Sequence, residues 1–271
     1  MPIAFACAAS HAPGLTAWPD AAPREQKDSI YSAFGQLERK LAESKPDALI
    51  LLTSEHWANF FLDHMGGFCV GRADHYDGPI EPWLKVDKAA VPGAPDLAGG
   101  LLDYCADNGF EPTFSHEMVL DHGSMVPLHF LTPKMDVPVV PIIFNTLAAP
   151  QPSSARCLEL GRVIGRFLEQ SDKRVAVVAA GGLSHAPGER NHGTIDTAFD
   201  RRFLDRMAAA DMDSLGRYTR GELAEAGSGA FELLAWIALA GALNGRKGEV
   251  LAYEAVVPWA TGIGVMLFAT A

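Results

Sequence analysis

The chain has 271 residues, enough for one large α/β domain or two small ones, and its 48% hydrophobic and 20% charged residues support a packed core and exclude a disordered chain. Lys plus Arg number 22 against 33 for Asp plus Glu, a net charge of −11, which argues against nucleic acid or an anionic membrane surface as partner. No apolar run approaches the roughly 18–20 residues of a membrane span.

The stretch from Met1 to Ser10 is apolar, has no Lys or Arg before it and runs straight into His11. It fits a buried first strand better than a signal peptide. That strand is predicted at Ile3–Ala9, ending in Ser10-His11-Ala12-Pro13-Gly14. A helix follows over Arg24–Ser44, where Ile30, Phe34, Leu37 and Leu41 keep the helical period and Pro46 lies just beyond. Residues 48–53 (ALILLT) read as a buried strand ending at Ser54-Glu55-His56, and 94–108 as a helix with Gly109 just past its end. Residues 137–144 form a strand that carries Pro138 and Pro141, so an irregular or edge position is expected. A helix over 153–170 leads to the buried strand 174–180 (RVAVVAA), which ends at Gly181-Gly182-Leu183-Ser184-His185. Two or three helices up to Leu243 precede closing strands at 249–256 and 263–268.

Alternating helices and near-continuous apolar strands predict an α/β fold: a single domain over residues 1–271, with a central, largely parallel or mixed twisted sheet flanked by helices on both faces. Cys7, Cys69, Cys105 and Cys157 are scattered, form no CxxC pair and sit in apolar settings. They read as small core hydrophobes in a reducing compartment, so a cytoplasmic protein is expected.

Three of the nine histidines stand just past apolar strands: His11, His56 and His185. In open α/β sheets the ligand crevice lies outside the carboxyl ends of the strands, so these side chains can converge from distant parts of the chain. His122, in VLDHGSMVPL, is a fourth candidate. His75 falls in a polar stretch that reads as a surface loop, and His129 on a helix beside Leu128 and Phe130 reads as a core histidine. Glu232 lies inside Phe231-Glu232-Leu233-Leu234-Ala235-Trp236-Ile237, which reads as a strongly apolar helix. Buried there it must be protonated, paired or bound to a cation; turned to solvent it needs nothing. There is no nucleophile elbow around Ser184, no P-loop and no H-E-x-x-H.

In order along the chain stand Ser10-His11-Ala12-Pro13, Glu55-His56-Trp57-Ala58-Asn59-Phe60-Phe61, Asp121-His122-Gly123 with Val126-Pro127-Leu128, Gly181-Gly182-Leu183-Ser184-His185, Phe231-Glu232-Leu233-Leu234-Ala235-Trp236, and Pro258-Trp259-Ala260-Thr261-Gly262-Ile263-Gly264. Together they resemble the type III extradiol ring-cleavage dioxygenases, the superfamily of the protocatechuate 4,5-dioxygenase catalytic subunit and of 2,3-dihydroxyphenylpropionate dioxygenase. The resemblance implies that His11, His56 and Glu232 bind Fe(II). It implies that His185 is the active-site base and His122 a second pocket histidine acting on bound oxygen. The implied reaction splits a catechol-type ring with O2 to a ring-opened semialdehyde in aromatic catabolism.

Two His and one carboxylate with open positions suit non-haem Fe(II) oxygen chemistry, and imidazole suits proton removal near neutral pH. Trp57, Phe60 and Phe61 line the pocket or pack as ordinary core. The short stretch from His185 to Glu232, with Phe199-Asp200-Arg201-Arg202-Phe203-Leu204-Asp205, resembles the protocatechuate branch more than the dihydroxyphenylpropionate branch. A homo-oligomer is expected. Some relatives need a separate small subunit over the pocket, so a lid subunit stays open. An aminophenol or hydroxypyridone substrate, a zinc-binding hydrolase and a non-enzymatic family member stay open as alternatives.

Overall fold

The computed structural model describes residues 3–270; Met1, Pro2 and Ala271, the ends of the expected span, lie outside the described residues. The strands are β1 (Ile3–Ala9), β2 (Ala48–Ser54), β3 (Phe68–Gly71), β4 (His75–Gly78), β5 (Ala89–Pro92), β6 (Thr113–Ser115), β7 (Val139–Phe144), β8 (Val175–Ala180), β9 (Gly248–Val256) and β10 (Thr261–Phe268). The helices are α1 (Gly14–Ala17), α2 (Arg24–Ser44), α3 (Pro95–Asp107), α4 (His122–Leu131), α5 (Ser154–Glu169), α6 (Thr197–Ala209), α7 (Met212–Leu215), α8 (Arg220–Glu225) and α9 (Leu233–Leu243). Eight strands form one sheet in the order β6-β3-β7-β2-β8-β1-β10-β9, and β4 and β5 make a separate pair. The central run β7-β2-β8-β1 is parallel, while β3 on one side and β10 on the other are antiparallel to it. The sheet is therefore mixed.

Alternation along each central strand sorts the core into two halves. Ala6, Ala8, Ile50, Leu52, Val177 and Ala179 face α3, α5, α6 and α9. Their neighbours Cys7, Ala9, Leu49, Leu51, Ala176 and Val178 face α2 and α4, including Phe34, Leu37 and Met125. Both faces are covered, which explains why these strands read as continuous apolar runs. Helix α9 is buried on every side, as an all-apolar helix must be. It lies so close to α5 that a Cβ on Gly161 would come within 1.8 Å of the Ala238 carbonyl oxygen. Glycine is required there.

The two-proline strand departs from expectation. β7 lies inside the sheet, paired without interruption to β2 through Pro141 opposite Leu51. Proline is tolerated because the ladder to β3 ends at Val70 opposite Ile142, one residue before Pro141 would have to donate. Beyond that point Pro141 packs over Gly71, where a Cβ would lie 2.7 Å from its Cγ. The stretch around His75 also differs: His75 itself is exposed, but it opens strand β4 rather than lying in a loop, and Tyr76 beside it is buried. Among the described residues the four cysteines are all buried and unbonded.

Candidate active site

Strands β2, β8 and β1 are neighbours and parallel, so their carboxyl ends open on one edge of the sheet. His11 follows β1, His56 follows β2 and His185 follows β8, which delivers all three to that edge. His122 arrives as the first residue of α4. Glu232 ends a 3-10 turn (Ser228–Glu232) immediately before α9, rather than lying within the helix as its apolar neighbours suggested. The ring centroids of His11 and His56 are 5.0 Å apart and those of His56 and His122 4.1 Å.

One carboxylate gathers the imidazoles. Glu232 lies 3.0 Å from His11 Nε2, 3.3 Å from His56 Nε2 and 3.6 Å from His185 Nε2, and it accepts a short hydrogen bond from the Gly182 backbone N–H. The approach of His185 needs glycine: a Cβ on Gly229 would stand 2.1 Å from its Cε1. Burial works against ionisation of Glu232, but His11 and His185 together hold its carboxyl well below the usual range. Burial in turn lowers His11.

The far nitrogens are held by other partners. His56 Nδ1 bonds Asp121 Oδ2 at 2.9 Å, His185 Nδ1 bonds the Leu183 carbonyl at 2.8 Å and His122 Nδ1 bonds Glu81 Oε1 at 2.6 Å. A ring whose Nδ1 proton is committed to an acceptor presents the Nε2 lone pair to the cavity. At His56 and His185 that lone pair faces a carboxylate oxygen, acceptor against acceptor. A second proton or a cation must lie between. Without a metal, a proton takes that place at His56: burial disfavours it, but Asp121 and Glu232 outweigh burial and push the imidazole up to about 10. At His185 Glu232 likewise outweighs burial and raises the imidazole. His11 goes further, because both its ring nitrogens are buried without a well-aligned hydrogen bond, even though Nε2 lies close to Glu232. The donor set fits a divalent cation.

Two carboxylates here had escaped the sequence reading. Asp121 was visible only as the residue before His122, and Glu81 comes from a loop without a local signal. The ligand atoms of His11, His56 and His122 lie within 4.8 Å of one another, as do those of Glu81, Asp121 and His122, so His122 also stands within reach of a shared ion. The cavity over these residues measures about 440 Å³, and Trp18, Trp83 and Trp259 line it. Trp57 and Phe61 are exposed and Phe60 packs against the core; none of the three lines that cavity. Pocket aromatics come instead from three loops far apart in sequence.

A buried network fixes the loop that carries His185. Asp200, on α6, is fully buried and accepts from Ser184 N at 2.8 Å, Ser184 Oγ at 2.9 Å and Tyr253 Oη at 2.8 Å. Burial raises its carboxyl above the usual range, although the Ser184 and Tyr253 donors pull the other way.

Among known proteins, the chain is 29% identical to a 2,3-dihydroxyphenylpropionate/2,3-dihydroxicinnamic acid 1,2-dioxygenase of Rhodococcus sp, covering 98% of both chains. It is 27% identical to the protein of that name from Rhodococcus globerulus, over 86% of this chain and 87% of that one. With the Klebsiella pneumoniae protein the identity is 28%, over 88% and 90%. These names belong to the branch from which the short His185-to-Glu232 stretch set the chain apart. An uncharacterized Escherichia coli K12 protein of known crystal structure shares the fold, with a TM-score of 0.61 at 17% identity over 97% of this chain and 98% of that one. Residues 5–266 match the family described as the catalytic LigB subunit of aromatic ring-opening dioxygenase, so the chain belongs to that family and is an extradiol ring-cleaving dioxygenase of aromatic catabolism.

Proposed function

We propose that residues 1–271 act as one catalytic domain that cleaves a catechol-type ring with O2, next to one of its hydroxyl-bearing carbons, using Fe(II) held by His11, His56 and Glu232. The observation that carries this reading is the buried acceptor set itself. His11 has two buried ring nitrogens without a well-aligned partner, and the Nε2 atoms of three histidines crowd one carboxylate. Only a cation, or protons standing in for one, satisfies that arrangement. Nitrogen and carboxylate ligands suit Fe(II), and the ion, when bound, would supply Lewis acidity toward the diol and electron transfer from ring to O2.

The remaining roles belong to the chain. His185, with Nδ1–H committed to the Leu183 carbonyl, turns Nε2 toward the cavity and accepts the second diol proton. His122, braced through Nδ1 by Glu81, turns Nε2 to the oxygen side, where it donates a hydrogen bond once that nitrogen carries a proton. Asp121 fixes the tautomer of His56 through Nδ1. Both oxygen atoms of O2 enter the ring-opened semialdehyde, so no external reductant is needed. The test is anaerobic reconstitution with Fe(II), followed by O2 uptake and product absorbance on catechol, a gallate-type triol, an aminophenol and a hydroxypyridone. Uptake confined to the vicinal diols, one O2 per ring, is expected. Stoichiometric iron without uptake on any of the four would refute it.

A further inference from the structure

The cavity walls outside the His/Glu cluster are mainly apolar; Thr261 also lines them, with its hydroxyl already donating to the Trp259 carbonyl at 3.0 Å. Trp18, Trp83, Trp259, Pro187 and Pro258 contribute to the lining, and among the described residues no Lys or Arg does. His192 is the one further titratable group in the lining; it is exposed at the rim, and its Nδ1 accepts from the Gly188 N–H at 3.4 Å. The cations nearest in sequence to these walls, Lys85 and Arg190, are exposed and lie outside the lining. A carboxylate on the ring substituent, away from the metal centre and its imidazoles, finds no Lys or Arg in this lining, and an unpaired buried charge is strongly disfavoured. The net charge of −11 further slows the arrival of anions.

An aromatic row leads outward from the candidate metal centre. The Trp83 ring centroid lies 6.0 Å from that of His122, and Trp18 stacks on Trp83 at 5.6 Å with 12° between the planes. Trp18 is 54% exposed and Trp83 43%, so much of their surface remains wet. Stacked, exposed tryptophans at the mouth of a cavity mark a place where a ligand is meant to cover them. The row is held from behind: Trp259 Nε1 donates to the Trp18 carbonyl at 3.0 Å. Trp259 itself packs on Gly14, where a Cβ would lie 2.3 Å from its ring. The volume of about 440 Å³ falls in the range that encloses a ligand larger than one ring.

We infer that the substrate is a vicinal aromatic diol bearing an uncharged, flat apolar substituent, an aryl group above all, and that Trp83 and Trp18 form the subsite for that substituent. The inference rests on the ring-cleavage reading and narrows its substrate class. It sets this chain apart from the relatives named for dihydroxyphenylpropionate, whose named substrate carries a carboxylate.

The experiment uses the Fe(II)-loaded protein with three probes that share the diol and differ in the group beside it: catechol, 3-phenylcatechol and 2,3-dihydroxyphenylpropionate. Binding is read anaerobically by tryptophan fluorescence quenching, and turnover by O2 uptake. The phenyl probe is expected to bind at least about tenfold tighter than the propionate probe and to exceed it by a similar factor in kcat/KM, within the range that apolar subsites deliver. Trp83→Ala should collapse the phenyl-to-catechol preference toward one, chiefly through KM, and Trp18→Ala should do so in part. Equal or tighter binding of the propionate probe overturns the inference, as does an unchanged phenyl preference in both variants. Uptake with catechol but no phenyl preference refutes the subsite alone. Bound iron with no uptake on any probe refutes the ring-cleavage reading and the subsite with it.

Discussion

Asp200 offers a perturbation whose cost can be worked out bond by bond. It is fully buried, and its two oxygens accept from Ser184 N, Ser184 Oγ and Tyr253 Oη. Asp200→Ala leaves both buried Ser184 donors without a partner. At about 1–3 kcal/mol for each orphaned donor, plus a cavity, the loss of stability should reach about 3–5 kcal/mol. Asp200→Asn keeps an acceptor for Ser184 N–H and should cost only about 1–2 kcal/mol. The pH dependence has a definite sign. Because burial raises the native carboxyl, the stability Asp200 contributes is complete below its unfolded value, about 3.9, and is lost as pH rises through the native value. Asparagine has no such slope, so the cost of Asp200→Asn relative to wild type should be largest in acid and shrink toward neutrality. Urea unfolding from about pH 4 to 7.5 measures both variants and wild type. Iron content and turnover are followed in parallel, since the network supports the His185 loop rather than a proposed ligand. Asp200→Ala should therefore keep its metal and lose kcat. Equal costs for Ala and Asn, or a cost of Asn that grows with pH, would contradict the reasoning.

Three further outcomes are expected. Glu232→Ala should lower bound iron at least about tenfold, and His122→Ala should change it much less; metal analysis after anaerobic loading decides, and the reverse order would make the three-histidine cluster the ligand set. His185→Ala should keep its iron yet lose turnover by about 10²–10⁴-fold, the usual range for a general base, with unchanged turnover leaving it a structural histidine. Gly161→Ala forces a Cβ onto the Ala238 carbonyl and should cost about 1–3 kcal/mol or more in urea unfolding. It should weaken iron binding too, because α9 follows Glu232 directly.

What the sequence reveals depends on how local the cause is. The runs of β1, β2 and β8 are legible because strands buried on both faces must be apolar throughout. Strand ends then place His11, His56 and His185 without knowledge of any contact. The short strands β3 and β6, four and three residues long, carry too few residues for a period to register. Prolines forbid ladder bonds in general and so predict an irregular or edge position for β7; where the neighbouring ladder stops is a tertiary fact. Glu81 and Asp121 escaped for the same reason, since a carboxylate that orients a ring is recognised only once the ring is beside it. Of the aromatics expected to line the pocket or to pack as core, Phe60 packs against the core, while Trp57 and Phe61, near His56 in the chain, do neither and are exposed. Past the end of β2 the chain turns, with Trp57 in the left-handed region at φ 59°, and Trp57 is absent from the lining of the cavity that His56 enters.

The candidate centre is therefore assembled by the core rather than added to it. His11, His56 and His185 sit where they do because β1, β8 and β2 pair in that order. Glu232 reaches them because α9 is buried on every side and drawn against α5 at Gly161. Four acceptors forced together in this way repel one another until something positive enters, and in the free protein that role falls to protons on the imidazoles. A metal ion must displace those protons to bind, so its apparent affinity should weaken as pH falls. The folded chain supplies the charge deficit in advance, and binding the ion relieves it. Metal binding and fold stability are then one linked equilibrium: any change that loosens the α5–α9 contact weakens the site, and any ion that fills the site tightens the fold.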